Sequence, residues 1–179
     1  MKYVYGGQFF GDADITAVMD TWYSKGTEVV FACGGGIYTS AVDAAKKANA
    51  KVIGVDVDQA GVIAKYAEVE GMTVTSAMKG LYPATYDALT DIILNGKWAD
   101  YAGKIVTLGL VSGEDPTLNY VQIPMGDGTQ WSDSFTVENY KALVKDLFDG
   151  KISVSADITK TAADFATVIT VDDQGKIKG

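Results

Sequence analysis

The stretch from Val29 to Gln59 restricts the fold of this chain more than any other part of the sequence. An apolar run at residues 29–33 ends in three glycines, a helical pattern follows over residues 41–49, and a second apolar run at residues 52–55 ends in aspartates. Strand, glycine turn, helix and strand in this order form a βαβ unit of normal length. Two loops, one glycine-rich and one acidic, therefore emerge at the edge of an α/β sheet where ligands bind.

The rest of the chain extends this unit into an α/β fold. We expect a single domain over residues 1–179, with a doubly wound, mostly parallel sheet and helices on both faces. The apolar patterns predict strands at residues 2–5, 28–33, 51–55 and 104–110, with a further strand at 73–76 lying at an edge or a crossover. Helices are predicted up to residue 24 after an Asp12 or Asp14 cap, at 82–94 and at 137–148. After Gln59 the pattern loosens; residues 66–71 are predicted to be a loop or short turn, 165–171 a last strand, and 172–179 frayed.

The charge and the residue types exclude several classes of function. A net charge of -8 argues against nucleic acid and anionic membrane surfaces as main partners. The chain has no histidine and a single cysteine, Cys33, which we expect to be a small core residue. No nucleophile and base occur in a recognisable pattern, so we predict no catalytic residues, no cofactor and no metal, and a protein that is not an enzyme. Neither a signal peptide nor a membrane-spanning run is present in the sequence.

The glycine loop and an aromatic pair are the first candidate site. Gly34, Gly35 and Gly36 form either a plain tight turn or a surface that lets a flat neutral ligand lie against the backbone. They do not fit the spacing of known phosphate-binding glycine motifs. Phe9 and Phe10 follow the first strand at the same sheet edge, where they can stack on a sugar or base, or one of them can fill the core.

Polar side chains after the next two strands are the second candidate site. Asp56 and Asp58 lie two residues apart and would point the same way if strand geometry persisted. With Gln59 they can accept hydrogen bonds from neighbouring sugar hydroxyls, bind Mg²⁺, or simply be solvated in a loop. Lys79 follows the fourth strand and would be a hydrogen-bond donor at this edge.

These pieces, in this order, resemble the basic membrane protein family of ABC-transporter substrate-binding lipoproteins, also called the purine nucleoside receptor A type. The resemblance covers most of the chain, and its pieces are GGQFFGDADITAVMDTWYSKGTEVVF, ACGGGIYTSAVDAAKKA, VIGVDVDQ, TVTSAMKGLYPATYDAL and KIVTLGLVSG. VIGVDVDQ is the most specific of them.

The resemblance implies a type I periplasmic-binding-protein fold, of which this chain corresponds to one lobe, the second, in a bilobal fold. It implies a nucleoside, with a purine nucleoside favoured, or a related sugar-containing solute as ligand, and an ABC-transporter permease as partner. Phe9 or Phe10 would stack on the base, Gly34 to Gly36 would line the cleft, Asp56 or Asp58 would accept from ribose hydroxyls, and Lys79 would donate to the ribose.

The family's first lobe, with its lipoprotein signal and lipid-carrying cysteine, would lie upstream of Tyr3, so the resemblance implies a truncated chain. The full-length family is extracytoplasmic and anchored to the cell membrane. The segment at about 77–96 would pack on the first lobe, and its exposed face makes a homo-oligomer possible. Two alternatives remain, a ligand-sensing regulatory module of the same fold and a Mg²⁺-dependent α/β enzyme that uses Asp56 and Asp58.

Overall fold

A computed structural model describes residues 1–166 and 168–178. The strands in chain order are β1 (Lys2–Tyr5), β2 (Val29–Phe31), β3 (Lys51–Asp56), β4 (Thr73–Lys79), β5 (Val121–Gln122) and β6 (Asp172–Lys176). The α-helices are α1 (Ala13–Ser24), α2 (Tyr38–Ala48), α3 (Ala60–Ala67), α4 (Leu81–Leu89), α5 (Trp98–Tyr101), α6 (Val137–Phe148) and α7 (Ala162–Phe165). A π-helical turn, Thr90–Leu94, continues α4, and a 3₁₀ turn, Pro116–Leu118, precedes β5.

The strands form two sheets. β2, β3 and β4 run parallel to one another, and the short strand β5 pairs antiparallel with β4. β1 pairs in parallel with β6 in a separate two-stranded sheet. The predicted fold class, α/β with a mostly parallel sheet, is confirmed.

One core lies beneath β2 and β3. The helices α1 and α2 pack against each other and both contribute buried apolar residues to this core. The core residues alternate along the strands and recur at helical spacing in the helices, and the largest contributors are Ile15, Met19, Trp22, Tyr23, Val30, Val42, Val52, Ile63 and Met72. Burial of these apolar side chains supplies most of the stabilisation of this layer.

The strand predicted at residues 104–110 is absent, and this segment is irregular. Its apolar, β-branched sequence favours a strand, but a strand also needs a neighbour with free backbone groups. Residues 104–110 do not lie along such a neighbour: the Gly109 carbonyl accepts from the Tyr120 N–H next to β5, and Ile105 is 100% exposed. Residues 73–76 of β4 pair with β3, whereas β5 pairs with β4 at Met78 and Lys79, so residues 73–76 lie at an edge of the sheet as predicted.

Two further predictions fail towards the C-terminus, and one helix after Gln59 was not predicted. The loose pattern after Gln59 did not predict the helix α3, whose Ile63 and Ala67 are buried one turn apart; the loop predicted at 66–71 begins after Ala67. Residues 172–176 form β6 and are not frayed, because β1 offers them an edge to pair with. The strand predicted at 165–171 is absent from the described part of that segment; its Thr167, like Gly179 at the end of the chain, lies outside the described residues.

The carboxylate of Asp12 connects the start of α1 with Lys178, which follows β6. It caps α1 by accepting from the Ile15 N–H at 3.1 Å, and it pairs with the Lys178 ammonium. The hydrogen bond from Lys178, followed by that from Ile15, lowers the pKa of Asp12 to about 2. A carboxyl whose pKa falls on folding stabilises the folded state above its unfolded pKa of about 4, and this stabilisation is lost as pH falls through about 2.

We therefore expect Asp12→Asn to lower the free energy of unfolding at neutral pH and to flatten its decline between about pH 4 and about pH 2. Urea titrations at a series of pH values measure both effects. Asp20→Asn in α1 is the control, because it breaks only an exposed ion pair with Lys47 of α2. Equal acid profiles for the parent and Asp12→Asn would contradict the assignment.

Candidate functional site

The loop after β1 and the loop after β2 lie against each other. Phe10 forms a parallel bridge with Gly36, and the Gly36 N–H donates to the Phe9 carbonyl at 2.7 Å. A Cβ on Gly36 would lie 3.2 Å from that carbonyl oxygen, so the two backbones approach more closely than most side chains allow. Gly35 has φ +50°, which glycine adopts readily. The glycines thus allow the backbone of this loop to lie close to the backbone of Phe9 and Phe10.

The two phenylalanines of this pair of loops are open to solvent. Phe9 is 78% exposed and Phe10 is 61% exposed, so neither fills the core. The Phe9 ring lies next to Gly34 and Gly35. Gln8 holds the loop in place by donating to the Phe10 carbonyl and to the Asp12 carboxylate, both at 2.8 Å. An exposed aromatic pair on a braced loop is a surface on which a flat ring can stack.

Asp56 ends β3 in an unusual backbone conformation. Its φ is +70°, and the Val57 N–H donates to the Val55 carbonyl at 2.8 Å across it. Together these describe a γ-turn of the rare, strained kind. The Asp56 carboxylate accepts from the Lys79 ammonium at 2.8 Å, and both side chains remain partly exposed. Backbone strain of this kind concentrates at functional sites.

Asp58 and Gln59 have different partners from Asp56. The Asp58 carboxylate accepts from the Ala60 N–H at 3.1 Å and packs against Gly128. Gln59 is buried; its side-chain oxygen accepts from the Val55 N–H at 2.8 Å, and its own N–H donates to the Ser76 hydroxyl. The left-handed turn at Asp56 ends the strand alternation, so the two aspartates make separate contacts.

The two groups of residues emerge side by side. Phe31 of β2 is in register with Ile53 of β3, and Gly34 and Asp56 each come three residues later. Neighbouring strands are spaced by about 4.8 Å, so the glycine loop and the Asp56–Lys79 pair leave the sheet next to each other. The structure thus brings Phe9 to Gly36, and Asp56 to Lys79. Cys33, expected in the core, is exposed beside them.

The contact of Gly128 with Asp58 was not predicted. The loop around Gly126–Gly128 comes from a segment far along the chain, and a Cβ on Gly128 would overlap the Asp58 carboxylate. The glycine-aspartate-glycine sequence indicates a turn but not its neighbour. In the described part of the chain, no group of at least three Cys, Asp or Glu side chains is arranged to hold a metal ion.

Gly35→Ala should destabilise the protein by about 1–2 kcal/mol, because a left-handed conformation is costly for alanine. The new Cβ would also lie 3.3 Å from the Phe9 carbonyl. Gly61→Ala is a matched control, because its Cβ meets nothing within 4 Å on helix α3, where it should stabilise by about 0.5–1 kcal/mol. Urea denaturation measures both variants. Similar effects of the two substitutions would contradict this account of the glycine loop.

Comparison with protein families identifies the chain. A family model described as ABC transporter substrate-binding protein PnrA-like matches residues 1–114 of the 179-residue chain. The match covers more than half of the sequence, so the chain belongs to this family of basic membrane proteins. No curated protein matches the chain.

Members of this family are the substrate-binding proteins of ABC transporters. Such a protein binds a small molecule and works with a transporter permease. The family binds its substrates outside the cytoplasm, and it is a family of binding proteins and not of enzymes. Across residues 1–166 and 168–178, none of the helices has the length and apolar character needed to cross a membrane.

Proposed function

We propose that this chain binds a nucleoside, with a purine nucleoside favoured, or a related sugar-containing solute for an ABC importer. The observation that supports the proposal is that the aromatic and glycine loop and the Asp56–Lys79 pair follow the neighbouring strands β2 and β3 at matching positions of their register. A nucleoside needs two kinds of contact, a flat surface for its base and polar groups for its ribose. The two groups of residues offer one of each.

Phe9 and Phe10 support recognition of the base. Aromatic side chains stack on flat rings, and stacking adds about 0.5–1.5 kcal/mol beyond the burial of area. Gly34 and Gly35 have no side chains, so a base against the Phe9 ring would also reach the backbone of the loop. The Gln8–Asp12 brace keeps this loop in place before the ligand arrives, which lowers the entropic cost of binding.

Asp56 and Lys79 support recognition of the ribose. A carboxylate accepts hydrogen bonds from two neighbouring hydroxyls, and an ammonium donates to a hydroxyl oxygen. Asp56 is the better candidate of the two aspartates, because Asp58 already accepts from Ala60 and packs against Gly128. Gln59 is proposed to position the end of β3 without touching the ligand, because its side-chain oxygen accepts from the Val55 N–H.

A titration with inosine, followed by the amide signals of the protein, tests this proposal. We expect the largest shifts at residues 8–10, 34–36, 56 and 79, with a dissociation constant that is weak for one lobe, on the order of 1 mM. A 2′,3′-dideoxynucleoside with the same base is the control and should bind about tenfold or more weakly, because two bonds to Asp56 are lost. Equal affinity for the two ligands would contradict a ribose site.

The apolar surface of α4 and the following π-helical turn is the proposed contact with another lobe or a second copy of the chain. Its exposed side chains are Leu81, Tyr82, Tyr86, Leu89, Ile93 and Leu94, with Tyr82 and Tyr86 stacked at 5.9 Å. A continuous apolar patch of this kind marks an interaction surface. A molar mass from light scattering that stays that of a monomer at high concentration would count against self-association.

Attachment to the membrane through a lipid is likewise proposed from the family resemblance alone.

The regulatory and enzymatic alternatives have weaker support. A regulatory module of the same fold would bind the same ligand, and a DNA-binding segment joined to this chain would identify it. A Mg²⁺-dependent enzyme needs the two aspartates to share an ion, whereas Asp56 and Asp58 hold separate partners. If addition of Mg²⁺ raises the unfolding temperature of the parent protein but not that of Asp56→Asn, the result would favour the enzyme.

A further inference from the structure

The N–H of Val55, near the end of β3, lies beyond the pairing of β3 with β2. The Lys51 N–H donates to the Glu28 carbonyl just before β2, so the alternation of a parallel strand directs the Val55 N–H towards the same side. The carbonyl that would follow there, that of Ala32, accepts instead from the Gly34 N–H at 3.1 Å. The ladder between β2 and β3 therefore ends before it reaches this N–H.

The Gln59 side chain supplies the missing acceptor. Its oxygen Oε1 accepts from the Val55 N–H at 2.8 Å, and this hydrogen bond is buried. The backbone of Gln59 is held in turn, because its N–H donates to the hydroxyl of Ser76 in β4 at 3.1 Å. Ser76 is 0% exposed and Gln59 is 8% exposed, so water does not compete for these bonds. Gln59 therefore ties β4 to the end of β3.

Gly54 leaves the space that this arrangement needs. It is in register with Ser76 across β3 and β4. A Cβ on Gly54 would lie 2.6 Å from the Ser76 hydroxyl oxygen and 2.9 Å from the Gln59 Cβ. Any larger residue at this position would displace one of the two side chains, so the glycine is required by their close approach.

These buried contacts lie directly behind Asp56. The residue has φ +70° between Val55 and Val57, and a strained conformation of this kind persists only where the surrounding structure imposes it. Gln59 fixes Val55, which is the first residue of the turn. With its start fixed, the turn directs the Asp56 carboxylate to the Lys79 ammonium, from which it accepts at 2.8 Å.

We propose that Gln59, Ser76 and Gly54 form one positioning unit for the ligand site. Their contacts replace the strand pairing that β3 loses and hold Asp56 in the conformation that pairs it with Lys79. None of the three residues contacts the ligand. The consequence for binding rests on the proposed nucleoside site, whereas the effect on Asp56 is measurable without any ligand.

Nuclear magnetic resonance of the ligand-free protein tests the positioning unit directly. In the parent we expect a scalar coupling across the hydrogen bond between the Val55 N–H and the Gln59 side-chain carbonyl. Ser76→Ala removes the acceptor of the Gln59 N–H, and Gln59→Met keeps the length of the side chain but removes its acceptor oxygen. Both variants should shift the Asp56 Cα signal and speed hydrogen exchange of the Val55 amide by about tenfold.

Inosine and 2′,3′-dideoxyinosine separate the positioning of Asp56 from a general loss of structure. We expect Ser76→Ala and Gln59→Met to weaken inosine binding by about threefold to tenfold, because the carboxylate no longer meets the ribose hydroxyls in its paired position. Binding of the dideoxynucleoside should stay as in the parent, since this ligand has no 2′- and 3′-hydroxyls to donate to Asp56. The ratio of the two affinities therefore falls.

Two substitutions are controls for lost stability and for a lost hydroxyl. Thr73→Val, on the same strand as Ser76, removes a buried hydroxyl that has no hydrogen-bond partner among the described residues. Val52→Ala leaves a cavity in the core part of β3 and lowers stability without touching the positioning unit. Both variants should keep the Asp56 signal and the affinity ratio of the parent.

Three results would overturn the proposal. A parent protein without the coupling between Val55 and Gln59 would remove the central hydrogen bond, whatever the variants do. Unchanged Asp56 signals in Ser76→Ala and Gln59→Met would show that other contacts hold the turn. Equal losses of affinity for the two nucleosides would reduce the three residues to a structural role. A parent that binds no inosine would contradict the proposed function instead, and the ligand-free spectra would still decide the positioning of Asp56.

Discussion

Asp56→Asn is expected to weaken ribonucleoside binding by about tenfold to a hundredfold. The substitution keeps the shape of the side chain and its tolerance of the left-handed conformation, but it removes the charge that strengthens two hydrogen bonds to ribose hydroxyls. Hydrogen bonds to charged groups contribute about 1.5–3 kcal/mol, compared with about 0.5–1.5 kcal/mol for neutral ones. The difference over two bonds gives the expected loss, since about 1.4 kcal/mol equals a factor of ten.

Asp58→Asn is the matched control for this experiment. Its side chain still accepts from the Ala60 N–H, and it does not contact Lys79. Binding by this variant should stay within about threefold of the parent, a change of less than one kcal/mol. If Asp58→Asn loses affinity and Asp56→Asn does not, the assignment of the ribose contact is reversed.

Ile63→Ala should have the largest effect on stability. Ile63 is 0% exposed on α3 and belongs to the core beneath the sheet. Truncation of a buried isoleucine to alanine removes apolar contact and leaves a cavity, at a cost of about 2–5 kcal/mol. The measurement is the free energy of unfolding in urea.

Val62→Ala is the control, since its side chain is the neighbour of Ile63 and is 51% exposed. It should cost less than about 1 kcal/mol. Equal losses for the two variants would mean that α3 does not present Ile63 to the core.

The unit from Val29 to Gln59 was predictable because its information is local. An apolar run, a glycine loop, a helical pattern and a second apolar run each specify their own structure, and parallel pairing then fixes where the loops emerge. The same rule predicted that Phe9 would approach the glycine loop and that Lys79 would approach Asp56. Both contacts are present.

Other features of the structure could not be predicted, because they depend on contacts with distant parts of the chain or on a single backbone angle, and the local sequence pattern specifies neither. Residues 104–110 have the composition of a strand, but they lie outside the sheet, where Ile105 is fully exposed. The helix α3 was missed because its buried face is only Ile63 and Ala67. The separation of Asp56 from Asp58 follows from a single positive φ, which the sequence does not encode in any pattern.

Intermolecular nuclear Overhauser effects between bound inosine and the protein test the central claim most directly. The account predicts effects from the base protons to the ring of Phe9 or Phe10, and from the ribose protons to the side chain of Lys79. Such effects require protons within about 5 Å, which is the reach of stacking and hydrogen-bond contacts. Base and ribose protons that contact a different part of the chain, or no effects when inosine is bound, would contradict a nucleoside site at this edge of the sheet.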